Sequence, residues 1–74
     1  MDDQKITGVE NLIKQGIIYE DDFITLYMEL IRDEGFMEIF SETDRKEVKK
    51  YLEILIAQSS GHKKVLENII NNLK

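Results

Sequence analysis

Two side chains able to do chemistry stand where a helix would bury them. Glu20, in the stretch "YEDDFITLY", lies seven residues after Ile13 and seven before Tyr27, four after Gly16 and three before Phe23. At 3.6 residues per turn that spacing puts a carboxylate inside an apolar stripe. His62 is the one histidine of the chain, and it follows Ser59 by three residues. Ser59 and His62 therefore hold successive places on the inner seam expected for a second helix. A carboxylate in such a place must be neutralised, paired or metal-bound. Two chemistries are open. Glu20 and His62 are polar residues that fix helix register, with the Glu20 stem reaching water past Gly16, or they are metal ligands. Tyr27 and Ser59 would then stand behind them, the Tyr27 hydroxyl as a donor to the carboxylate.

Other chemistries fail on spacing. The four glycines are scattered at positions 8, 16, 35 and 61, so no Gly-rich phosphate loop exists. Ser59 and His62 share one helix with no third group to orient the base, and helix N–H groups are spent on the backbone. Asp21 and Asp22 lie in a helical pattern and lack the ligand spacing of a calcium loop. Paired carboxylates for glycoside chemistry need a cleft, which two helices do not make.

The elements that position these residues are helices. There is no proline to interrupt them. Thr7 and Glu10 have capping-box spacing, and Ile6 with Leu12 or Ile13 has the spacing of a hydrophobic staple. Apolar residues then recur at Val9, Leu12, Ile13, Gly16, Ile17, Phe23, Ile24, Tyr27, Leu30 and Ile31. This predicts a helix over about 8–34, stopped by Gly35. Residues 35–42 read as a connection in which "GFMEIF" forms a short helical turn plugging the end of the core. Ser41 or Thr43 caps a second helix over about 43–72, with "NNLK" fraying. Its seam is expected at Val48, Leu52, Leu55, Ser59, His62, Leu66, Ile69 and Leu73.

The expected fold is all-α: one domain, 1–74, of two long antiparallel helices in a hairpin. A lone hairpin leaves apolar stripes open, here Ile18, Leu26 and Met28 on one helix and Tyr51, Ile54, Ile56 and Ile70 on the other. A chain of 74 residues is marginal alone, and with no cysteine it has no disulfide to help. Two hairpins related by a two-fold axis would bury the stripes as a four-helix bundle.

Charge bounds the partners. Fifteen acidic residues stand against ten basic ones, a net charge of −5, which disfavours nucleic acid. The basic clusters "DRKEVKK" and "GHKK" lack interleaved aromatics and read as solvated helix faces. No apolar run reaches the ~20 residues of a membrane span. "MDDQK" lacks the basic start and apolar stretch of a signal peptide, so a cytoplasmic location is expected.

Glu20 with Tyr27 seven residues on, and "IAQSSGHKKVLENI" with His62 followed four residues later by Leu66, together resemble the ferritin-like superfamily, in its rubrerythrin-like branch. The resemblance spans nearly the whole chain, as half of the usual four-helix domain. It implies a half-length member that completes the bundle by dimerising. Glu20 matches the family's first-helix carboxylate and His62 its histidine. The bridging Glu of the family's Glu-x-x-His motif is Ser59 here, so the resemblance implies a degenerate site. Two copies supply two Glu20 and two His62, too few for a two-iron centre. The expectation is a non-enzymatic structural or interaction module without a cofactor, forming a homodimer. One alternative is a metal-binding or redox protein holding one zinc or iron per dimer between Glu20 and His62. Another is an adaptor that docks another protein's helices.

Overall fold

A computed structural model describes the backbone of residues 3–73 and the side chains of residues 7–73. It is all-α: α1 spans Asp3–Arg32, α2 spans Glu34–Glu38 and α3 spans Glu42–Leu73. Helix α1 begins earlier than its capping-box pattern predicts. Thr7 lies in its second turn. The Ile6 half of the expected staple lies outside the described side chains, and Leu12 is 69% exposed.

Asp33, not Gly35, ends α1. Its backbone is extended (φ −80°, ψ 103°). Its N–H still closes the last turn of α1 on the Leu30 carbonyl at 3.3 Å. Its carboxylate accepts from the Phe36 N–H at 3.1 Å. An aspartate that caps a new helix competes with continuation of the old one. Gly35 sits inside α2, and no described glycine has a positive φ. The sequence cue failed because a helix-ending glycine works through the left-handed conformation, which this one does not adopt.

The connection is tied down at both ends. Ser41 caps α3, its hydroxyl accepting from the Asp44 N–H at 3.2 Å. Arg45, one turn into α3, donates from Nε to the carbonyls of Met37 at 2.9 Å and Phe40 at 3.0 Å. Those carbonyls lie in and just beyond the end of α2, where a cation also suits the helix dipole. The rings of Phe36 and Phe40 meet edge to face at 5.4 Å. Ile39, by contrast, is 76% exposed and plugs nothing. At the other end α3 stays helical through Leu73, so the last turn is ordered further than "NNLK" suggests.

Helices α1 and α3 lie side by side. Glu20 approaches His62, and a Cβ on Gly16 would lie 3.3 Å from Leu66 Cδ1. Four residues forward on α1 thus correspond to four back on α3, so the two run in opposite directions. The Cα envelope measures 57 × 17 × 12 Å, a single layer two helices wide.

The inner face of α1 is Ile13, Ile17, Glu20, Ile24, Tyr27 and Ile31, each partly buried. On α3 the inward positions are Val48, Leu52, Ile56, Ser59, Lys63, Leu66 and Ile70. This corrects the expected seam at every second step, where Leu55, His62 and Ile69 yield to Ile56, Lys63 and Ile70. Apolar residues are adjacent at 55–56 and 69–70, so periodicity alone does not choose between them. A small rotation of the helix decides. Ile56 and Ile70, expected to lie open, turn inward. Val9, Leu12 and Phe23, expected inside, are 47%, 69% and 45% exposed.

Candidate functional site

Midway along the two long helices lies a layer of four polar side chains. Glu20 is an inner residue of α1, and its side chain keeps 18% of its accessible surface. Its Oε1 lies 3.5 Å from His62 Nδ1, an ion-pair distance at the outer limit of a hydrogen bond. Its Oε2 is buried and receives no hydrogen bond. One residue on, Asp21 accepts from Lys63 Nζ at 2.8 Å, and Lys63 also approaches Glu67 at 3.9 Å. The hydrogen bond and charge of Asp21 hold the Lys63 ammonium above its usual pKa of 10.5.

The structure therefore brings Glu20 and His62 together, but not as expected. His62 is not in the seam. Its side chain is 68% exposed, and Lys63 takes the inward place beside it. Ser59 is buried at 7% exposure, one turn from His62. Tyr27 is partly buried, and its ring lies nearly parallel to Phe23 with centroids 6.2 Å apart. The hydrogen bond expected from its hydroxyl is absent at Glu20 Oε2.

The donor set bears on metal chemistry in one respect. Oxygen and nitrogen ligands of one tetrahedral zinc, each bonded at roughly 2.1 Å, stand about 3.4 Å apart. The separation of Oε1 and Nδ1 matches this. One chain offers only these two ligands. No cluster of three or more His, Cys, Asp or Glu side chains exists among the described residues. No pocket is present among them either, and none of their helices is long and apolar enough to cross a membrane.

The larger feature is a face that the sequence reading divided wrongly. At about 100° per residue, Val9, Leu12, Tyr19, Phe23 and Leu26 fall on one side of α1, about a quarter-turn from its inner face. Tyr51, Ile54, Leu55, Val65, Ile69 and Leu73 fall about a quarter-turn from the inner face of α3. Because the helices run oppositely, these two stripes lie on the same side of the layer. All eleven residues are exposed large apolar side chains, from 36% at Leu55 to 69% at Leu12. The positions that share this face from 8 to 30 on α1 and from 51 to 73 on α3 include no Asp, Glu, Lys or Arg. The opposite side carries Lys14, Asp21, Arg32, Lys49, Glu53, Lys64 and Glu67. His62 is on the apolar side, at its middle. The buried residues among those described number only three, Leu52, Ser59 and Ile70, and none of them is fully buried.

Comparison with known proteins returned no matching family model, no similar curated protein and no similar solved structure.

Proposed function

We propose that this chain is a non-enzymatic structural module: a helical hairpin that self-associates through its apolar face into a four-helix bundle of ferritin-like arrangement. The charge-free face carries this reading. About a third of the chain is charged, yet no Asp, Glu, Lys or Arg falls on this face between 8 and 30 on α1 or between 51 and 73 on α3. An apolar surface of this extent on a small protein marks an association site. Three buried residues among those described are a thin core, and burying the second face supplies the missing one.

A second reading rests on the 3.5 Å approach of Glu20 and His62. Two copies would bring two carboxylates and two imidazoles to one place, enough for a single four-coordinate zinc or iron. Glu20 and His62 would hold the ion, which would act as a structural cross-link between chains.

Native mass spectrometry after loading with zinc, iron or manganese and desalting tests both readings. The structural reading predicts two chains and no retained metal. One metal per two chains, lost in His62→Ala, would replace it with the metal reading. A single chain at micromolar concentration would sink self-association.

A further inference from the structure

We infer that a second copy of this chain covers the apolar face, with the two-fold axis crossing the helices at the level of Glu20 and His62. The two His62 side chains then meet in the centre of the interface. The inference rests on the self-association reading and adds where, and in which direction, the copies meet.

Four observations point to a second copy in this arrangement. The first is size. The face runs from 51 to 73 on α3, about 33 Å at 1.5 Å per residue, and the layer is 17 Å across. Corrugated by side chains, it offers on the order of 800 Å², the share of one partner in a stable interface. The second is charge. The copies carry the same net charge of −5, so only a face that excludes their acids lets them approach. This one does.

The third observation is symmetry. A two-fold axis across antiparallel helices pairs residues equally far on either side of it. On α1, Val9 pairs with Leu30, Leu12 with Leu26, and Gly16 with Phe23, and the midpoints fall at 19 to 20. On α3, Tyr51 pairs with Leu73 and Leu55 with Ile69, both centred on 62. These two centres belong to different helices, yet the structure holds them at one level, because Glu20 and His62 touch at 3.5 Å. One axis therefore serves both helices. An axis along the helices would not require the centres to coincide.

The fourth is polarity. His62, 68% exposed at the centre of a face without Asp, Glu, Lys or Arg, is a polar residue that this closure covers, still beside its own Glu20. A buried polar pair at the axis specifies one register among those an apolar stripe permits.

Single-cysteine variants test this in the full chain, which has no native cysteine. His62→Cys under mild oxidation is expected to give a disulfide-linked dimer in high yield. Lys64→Cys, on the charged side, should stay unlinked. A mixture of Leu12→Cys and Leu26→Cys should form mixed dimers in preference to either self-linked species. Linkage at 64 but not at 62, in a protein that sediments as a dimer, overturns the face and leaves self-association standing. Linkage at 62 with no preference for 12–26 pairs overturns the direction of the axis. A monomer that links at no position overturns both the inference and the reading beneath it. Circular dichroism of each variant separates loss of contact from loss of fold.

Discussion

Glu20 is a carboxylate with one oxygen beside His62 and the other buried without a partner. Burial without a hydrogen bond costs free energy. Glu20→Leu should raise the melting temperature, by about 1–2 kcal/mol of stability if the unpaired oxygen dominates. A drop in melting temperature would show that the His62 contact outweighs it. Asp21 and Lys63 next to them behave differently. The Lys63 pKa is raised in the folded state, so its contribution is fully present below the unfolded value of 10.5 and is lost as pH rises through the raised value. The melting-temperature difference between the natural chain and Asp21→Asn should therefore be flat from pH 7 to 10. It should then shrink above the unfolded value. A difference that persists unchanged well above pH 11 would contradict the assignment.

At the scale of elements, the turn depends on three side chains: Asp33, Ser41 and Arg45. Ser41→Ala removes the α3 cap and should cost about 1 kcal/mol in chemical denaturation. An unchanged midpoint would show the cap to be idle. Gly16→Ala distinguishes helix propensity from close packing. The added Cβ would meet only the end of the Leu66 side chain at 3.3 Å, which can give way. Propensity favours Ala by roughly 1 kcal/mol. A stabilised variant is expected, and a loss in the melt would mean that the approach there is rigid. The helices themselves were legible in the sequence because their apolar spacing is long and unbroken. Their ends were not. Thr7–Glu10 imitates a cap inside a helix that starts at Asp3, and Gly35 imitates a stop that Asp33 provides. Both cues are local, and at Gly35 the competing contact from Asp33 to the Phe36 N–H overrides the cue.

For the whole molecule, the difficulty was one of rotation. The sequence holds two apolar stripes on each helix, and 3.6-residue periodicity cannot say which of them faces the other helix. Reading them as one placed Phe23, Leu12 and His62 inside, where Tyr27, Ile13 and Lys63 belong. Only the packed pair separates them, and only then do the open stripes prove to share a side. Glu20 and His62 meet because both hold central places on their helices, whereas the exposure of His62 has no signal in the spacing. The proposal that this chain is half of a bundle rests on the charge-free face between 8 and 30 on α1 and 51 and 73 on α3. The measurement that tests this most directly is sedimentation equilibrium of the natural chain beside Leu26→Glu. The natural chain is predicted to sediment at twice its 8.7 kDa mass at micromolar concentration, and the variant at one times it. A helical, stably folded natural chain that sediments as a monomer would contradict the account.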